Sequence, residues 1–494
     1  MNSYRGDLTD FVKTYDVRGL VGSQLTSEVV EALAAGFIDE LVGDGADAAG
    51  LEVVVGHDMR DSSPEFAAAF ARGAQARGAD VVSIGLCSTD ETYYASGILN
   101  APAAMFTASH NPATYNGIKF SRAGAQGISL QTGLAGIRDR ATAYLHTGIV
   151  AATVPGTFRT LDVLPGYAGY LRELVDLSDI RPLRMVVDAG NGMGGLTAPA
   201  VFGTAAGLPE LPIEIIPLYF ELDGTFPNHE ANPLEPANLV DLQKAVVEHG
   251  ADLGLAFDGD ADRCFVVDEL GNPVTPSAVA AIVALREIAR VRALATASGS
   301  GADTDADADA AGAEPIIVLH NLITSRIVEE TIEGAGAVAI RTHVGHSLIK
   351  DEMAATGAIF GGEHSAHYYF RDFWGADNGM LAAMHLIAQF GHQDGPLSSF
   401  GTEFNPYSQS GEINSTVTDV AGAYARIVEA FTNIAEFDDF DGLTVTGTVG
   451  LDSPFWWFNV RPSNTEPLLR LNVEGQTAAA MEQIRDRALA IIRA

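Results

Sequence analysis

The sequence predicts repeated, layered α/β domains followed by a smaller α+β domain at the C-terminal end. Three observations carry this. Strand-like apolar runs at 51–56, 185–187 and 316–319 each stop at a polar loop: His57-Asp58, Asp188-Ala189-Gly190-Asn191-Gly192 and His320-Asn321. They recur at intervals of about 130 residues, as one repeated unit would. From about Ser410 the pattern changes to strand, helix, strands, helix, which marks a different kind of domain.

Each element has its own signal. Alanine-rich stretches at 28–41 and 64–77 read as helices between the early strands, and that alternation builds α/β layers. In the last region the expected strands are 413–417, 443–449, 456–460 and 468–473, with helices at 421–432 and 478–493. The segment 296–314 contains Ser298-Gly299-Ser300-Gly301 and alternates Asp303, Asp305, Asp307 and Asp309 with small residues, so it reads as a disordered surface insertion. A chain of 494 residues is too long for one ordinary core; roughly three or four domains are expected.

Composition narrows the function. With 47% apolar and 19% charged residues the chain is a folded globular protein, and no apolar run is long enough to span a membrane. The opening residues lack a signal peptide's apolar core, and Cys87 and Cys264 are the only cysteines, so a reducing cytoplasm is the expected compartment. A net charge of -35 argues against nucleic acid or an anionic membrane as partner. An anionic ligand therefore needs local cations. Lysine occurs only at Lys13, Lys119, Lys244 and Lys350.

Asp258-Gly259-Asp260-Ala261-Asp262-Arg263 lies between the apolar runs 253–257 and 264–267. Carboxylates at alternate positions point the same way in extended chain, which suits a hard divalent cation, and Gly259 is expected to free the backbone to fold around it. A solvated acidic turn is the plain alternative. The spacing also invites a calcium-loop reading, with Glu269 as a further ligand, but such a loop needs glycine where Arg263 stands and helices on both sides. Asp258 as an aspartyl nucleophile is a third reading. Upstream, the run 103–106 opens into Thr107-Ala108-Ser109-His110-Asn111-Pro112, with Lys119 ten residues past Ser109. A serine there, beside a histidine, reads as an activated nucleophile or phosphate carrier, against a capped turn.

Together these two segments resemble the α-D-phosphohexomutase family. Tyr15-Asp16-Val17-Arg18-Gly19 resembles its amino-terminal signature, Gly362-Glu363-His364-Ser365-Ala366-His367 its sugar-recognition loop, and Arg461-Pro462-Ser463-Asn464-Thr465-Glu466-Pro467 its phosphate-binding loop. Arg341-Thr342-His343-Val344-Gly345-His346-Ser347 resembles a further segment. The resemblance implies three similar mixed α/β domains, 1–159, 160–272 and 273–405, and a smaller mobile α+β domain, 406–494, around a central cleft. It implies interconversion of hexose 6-phosphate and hexose 1-phosphate through a phosphoserine and a hexose 1,6-bisphosphate.

By the same resemblance Ser109 carries the phosphoryl group, while Asp258, Asp260, Asp262 and a phosphate oxygen on Ser109 hold Mg2+. Lys119, Arg18 and His367 surround the transferring group, Arg263 is a charge partner to the metal loop, and His110 supports the serine by hydrogen bonding. Glu363 and Ser365 bind sugar hydroxyls. Arg461, Ser463, Asn464 and Thr465 bind the phosphate that is not reacting, and Tyr15 and His346 line the cleft. The implied cofactors are Mg2+ and glucose 1,6-bisphosphate or mannose 1,6-bisphosphate as activator; the implied partner is a hexose phosphate. Mannose phosphates are the first expected substrate and glucose phosphates the second, with glucosamine phosphate the near alternative; a metal-dependent phosphatase and a calcium-binding protein stand further off. The chain departs from some members in having His320-Asn321 where they carry lysine, and His364 and Ala366 where bispecific enzymes often have methionine and glycine.

Overall fold

The computed structural model describes residues 7–44, 46–297, 315–447, 454–462 and 468–494. The acidic segment expected to be a surface insertion falls, from residue 298 to 314, outside the described residues. Four sheets organise the chain. In spatial order the first runs Val17–Leu20, Tyr115–Arg122, Ala103–Phe106, Glu52–His57, Asp80–Leu86 and Phe158–Thr160, with Gln126–Gly127 paired to Tyr115–Arg122. The second runs Pro273–Val274, Cys264–Asp268, Leu253–Phe257, Leu183–Asp188 and Ile213–Leu218, and the third Val338–Thr342, Ile317–Asn321, Phe360–Gly362, Tyr368–Phe370 and Ala376–Asp377. The fourth is antiparallel: Ser408–Thr416, Leu468–Gly475, Trp456–Pro462, Leu443–Gly447 and Ala435–Asp438. Phe158–Thr160 closes the first sheet, so a division after residue 159 would cut that strand, and Pro273–Val274 pairs in the second sheet, on the far side of a division after 272.

The first three sheets share one topology. A first strand takes a parallel neighbour on one side and a second parallel neighbour on the other, and a fourth strand then turns back antiparallel. The three apolar runs recognised in the sequence are the first strands, Glu52–His57, Leu183–Asp188 and Ile317–Asn321. Helices complete each crossover; Ser27–Val42 and Ser63–Ala76 lie where the alanine-rich stretches predict them. Leu253–Phe257 and Cys264–Asp268 are buried at every position, as strands covered on both faces are.

The third strand of each unit reaches the fourth through a short connection, at 107–114, 258–263 and 363–367. These are the serine loop, the acidic loop and the sugar-recognition loop of the sequence reading. Each holds one non-glycine residue in the left-handed region: Ser109 (φ 50), Ala261 (φ 62) and Ala366 (φ 66). That conformation costs an L-residue about 1–2 kcal/mol, so tertiary contacts must hold it in place.

One continuous core joins the first three units, while the fourth domain has a separate core around Ile427, Phe431, Phe458 and Leu471. Tyr94, Tyr167, Tyr170, Phe373 and Trp374 form an aromatic junction between the first three, with Tyr170 and Trp374 ring centroids 5.4 Å apart. Gly97 makes room for it, since a Cβ there would lie 2.2 Å from Trp374. Cys87 and Cys264 are buried free thiols. Among the described residues no helix is long and apolar enough to cross a membrane.

Candidate active site

The serine and acidic loops meet face to face, although 149 residues separate their key side chains. Ser109 is 3% exposed, and its hydroxyl donates to Asp258 Oδ2 at 2.7 Å. His110 Nδ1 lies 3.2 Å from the same hydroxyl, and Arg263 Nη2 reaches it at 3.3 Å. The close approach depends on Gly259. A Cβ there would fall 2.4 Å from the Ser109 carbonyl oxygen. Conformational freedom is the role expected of Gly259 from its sequence, but Ala261 carries the positive φ and Gly259 does not. Its missing side chain, not its backbone, is what the site uses.

Asp258, Asp260 and Asp262 are fully buried and bring one oxygen each within 4.8 Å of one another. Strands on both sides exclude the calcium-loop geometry. Lys119 Nζ bridges Asp260 at 2.7 Å and Asp262 at 2.5 Å, and Arg263 Nε donates to Asp258 at 2.9 Å. Three carboxylates against these two cations leave one net negative charge. Oδ1 of Asp260 and Oδ1 of Asp262 are buried with no hydrogen-bond partner. Buried oxygens in that state are costly, and a hard divalent cation fits both the free oxygens and the residual charge. Burial works to raise the pKa of Asp260, but Lys119 and the Thr89 hydroxyl outweigh it and hold the carboxyl low. Burial pushes Asp258 up against the pull of Arg263. Burial likewise opposes the charge on Lys119, yet Asp260 and Asp262 lift its pKa well above normal, so it stays an ammonium.

The remaining motif residues gather around this centre. Arg18 Nε pairs with Asp16 at 2.7 Å, and its Nη1 donates to Asn111 Oδ1 in the serine loop at 2.5 Å. Burial, then Arg263 and Arg18, drive His110 well below the usual histidine range, which makes it a neutral hydrogen-bond partner. His367 forms a β-bridge with Arg263 that joins the acidic and sugar loops. Its Nδ1 lies 3.1 Å from Asp377, and Asp262 with Asp377 outweighs burial to raise its pKa. Glu363 is buried, accepting from Asn321 at 3.2 Å and from the Tyr369 hydroxyl at 2.6 Å; Ser365 is half-buried on the same loop. Burial and then Arg341 lower His320 to about 4, so the place of the lysine in some family members is uncharged at neutral pH.

Tyr15 packs on the backbone of Gly345, where a Cβ would lie 2.6 Å from its hydroxyl, and Glu363 adds to burial in raising its pKa. Arg461 pairs with Glu412 at 2.8 Å and, among the described residues, its buried Nε has no hydrogen-bond partner; its charge reaches His364 in the sugar loop. Ser463, Asn464 and Thr465 lie outside the described residues, as does the His346 side chain, whose backbone begins the helix His346–Thr356.

Four side chains that sequence reasoning missed also build the site. Arg60 donates to three carbonyls of the serine loop and to that of Tyr115, which opens the next strand. Thr89, at the amino end of the helix Thr89–Leu99, binds Asp260 Oδ2 at 2.6 Å through its hydroxyl, with the helix dipole favouring that negative charge. Lys350 Nζ pairs with Asp377 at 2.6 Å and lies 3.9 Å from the Tyr93 ring centroid. Lysine scarcity was an available signal for Lys350; Thr89 and Asp377 gave none.

Known proteins align with this arrangement along the whole chain. Models of phosphoglucomutase/phosphomannomutase match in order: alpha/beta/alpha domain I over residues 10–145, domain II over 165–271, domain III over 305–407 and the C-terminal domain over 412–491. The chain is 36% identical over 477 residues to the "Phosphohexose mutases" protein of Xanthomonas campestris pv. campestris, covering 96% of each. It is 34% identical over 475 residues to the phosphomannomutase/phosphoglucomutase of Pseudomonas aeruginosa, covering 96% of this chain and 93% of that protein. The crystal structure of a phosphoglucomutase/phosphomannomutase family protein from Burkholderia thailandensis superposes with a TM-score of 0.80 at 28% identity, over 97% of this chain and 96% of that one. With all four domains matched in order and the loops of the first two meeting at Ser109 and Asp258, the chain belongs to the phosphoglucomutase/phosphomannomutase group of the α-D-phosphohexomutases.

Proposed function

We propose that this protein is a phosphomannomutase that also acts on glucose phosphates, interconverting hexose 6-phosphate and hexose 1-phosphate with Ser109 as phosphoryl carrier. The observation that carries it is the buried Ser109 hydroxyl, 2.7 Å from Asp258 and flanked by Arg263 and His110. In the first transfer a sugar hydroxyl attacks phosphorus, the bond from phosphorus to Ser109 Oγ breaks, and a bisphosphate forms. After the sugar turns over, Ser109 takes the other phosphate back. The attacking hydroxyl must lose a proton and the leaving oxygen must gain one.

The chain's own residues divide that work. Lys119, fixed as an ammonium between Asp260 and Asp262, stabilises charge on the transferring group and donates a hydrogen bond to the leaving oxygen. His367, held through Nδ1 by Asp377, is oriented for proton exchange at its other ring nitrogen. Arg18 and Arg263 add fixed positive charge. The family is generally metal-dependent and the acidic cluster suits a metal. Mg2+ held by Asp258, Asp260 and Asp262 would supply electrostatic stabilisation during transfer. Glu363 and Ser365 bind the sugar, Arg461 with Ser463, Asn464 and Thr465 binds the distal phosphate, and Tyr15 and His346 line the cleft. Glucose 1,6-bisphosphate or mannose 1,6-bisphosphate serves as activator by restoring phosphate to Ser109.

The test is a coupled assay with Mg2+ and glucose 1,6-bisphosphate, offering mannose, glucose and glucosamine 1-phosphates side by side. Turnover of the mannose and glucose phosphates, abolished in Ser109→Ala, is expected. Turnover of glucosamine phosphate alone would move the protein to the neighbouring specificity, and full activity in Ser109→Ala would remove the carrier.

A further inference from the structure

We infer that Arg60 is a positioning residue that sets the Ser109 loop in its transfer geometry; this rests on Ser109 being the phosphoryl carrier. Arg60 follows the first strand of the first unit and is 1% exposed. Each direction of its guanidinium is used. Nε donates to Asp58 Oδ2 at 3.2 Å, Nη1 to the carbonyls of Pro112 and Tyr115 at 3.0 Å each, and Nη2 to those of Ser109 at 2.8 Å and Asn111 at 2.7 Å. Asp58 is itself fixed, accepting from the Ser63 hydroxyl at 2.6 Å and the Arg60 amide at 3.0 Å. One planar fork therefore grips both ends of the connection that carries the nucleophile.

The grip falls where the loop is strained. Ser109 has φ 50, and its carbonyl is confined between Arg60 Nη2 and the Cα face of Gly259. The second domain closes over the other side of Arg60: the Phe226 ring centroid lies 5.1 Å from the guanidinium carbon, and a Cβ on Gly224 would lie 2.6 Å from Arg60 Cα. Arg60 is thus placed to hold the serine loop in register with the domain that supplies the acidic loop. Lysine cannot replace it, because an ammonium has three donors and no planar fork. Ser109 must present the same geometry in both transfers, and a displacement of about 1 Å at a reacting centre can cost about 100-fold in rate.

The test compares Arg60→Lys with the parent in steady-state kinetics on a hexose 1-phosphate, with Mg2+ and glucose 1,6-bisphosphate present, and follows thermal unfolding of both. A kcat lower by about 100-fold with KM within about threefold is expected. A second arm, Asp58→Asn/Arg60→Gln, leaves no unpaired buried charge and gives the same kinetic split if Arg60→Lys does not fold. A kcat near the parental value in a folded variant, or a loss expressed mainly in KM, would overturn the assignment. Failure of both variants to fold would make Arg60 a residue of the fold alone, and also overturn it. Ser109→Ala separates the two readings: an active Ser109→Ala removes the carrier itself, whereas an inactive one beside a fully active Arg60→Lys removes only the role of Arg60.

Discussion

The junction between the first two domains and the seam between the third and fourth are built from different materials. At the first, Ser109, Asp258, Arg263, Asp260 and Arg60 are all nearly or fully buried and hydrogen-bonded across the boundary or within its loops, and a continuous apolar core lies beneath. At the second, the fourth domain keeps its own core and meets its neighbour through polar and ring contacts, the His343 and Phe440 ring centroids lying 4.1 Å apart. Arg341 pairs with Asp438, the Val344 amide donates to Asp441 at 2.9 Å, the Tyr407 hydroxyl to Glu330 at 2.8 Å, and the Arg326 amide to Glu474 at 3.1 Å. Polar seams permit relative motion, and packed cores resist it. The difference suits a reaction in which transfer geometry stays fixed while the sugar must be released enough to turn over.

The largest effects should come from the buried junction. Ser109→Ala is expected to lower turnover on the order of 10⁵-fold with the thermal transition unchanged, since it removes the hydroxyl proposed as the phosphoryl carrier. Gly259→Ala should follow. Its new methyl meets the Ser109 carbonyl oxygen, so the two loops must separate, and kcat is expected to fall about 100-fold. A Gly259→Ala enzyme with parental kcat would show that the close approach is not needed. Thr89→Val removes the hydroxyl that binds Asp260 without changing shape, and should raise the Mg2+ concentration for half-maximal activity about 10- to 100-fold. Titration of activity against Mg2+ reads this directly.

The polar seam should respond differently. Arg461→Lys, on the fourth domain, is expected to raise KM about tenfold with a smaller change in kcat, as loss of a forked phosphate contact does. The smallest effect is assigned to Asp438→Asn. Its pair with Arg341 is substantially exposed, at 38% and 40% of the side chains, so stability should change by less than about 1 kcal/mol in denaturant unfolding. A large kcat loss there would mean that the seam is as tightly coupled as the junction.

The legibility of this site in the sequence follows the same contrast. Ser109 and the three aspartates were readable because their chemistry is contiguous and ends an apolar run, and the three first strands because both their faces are covered. Arg60 and Thr89 were not. Their roles arise from contacts 49 and 171 residues away in sequence, and an arginine or threonine after a strand has many uses. The strand Ala435–Asp438 escaped notice for a local reason: it is an edge strand of four residues, two of them acidic. The position of Gly259 is legible in the sequence but its function is not, because the close approach of two loops is a tertiary fact.

Asp258 and Ser109 lie within one hydrogen bond of each other, so the central claim turns on which of the two is phosphorylated. The decisive measurement is incubation with hexose 1,6-bisphosphate labelled in phosphate, followed by proteolysis and mass-spectrometric location of the label. Phosphate on Ser109, stable to hydroxylamine and absent from Ser109→Ala, is the predicted result. An acyl phosphate on Asp258, labile to hydroxylamine and retained in Ser109→Ala, would contradict the account.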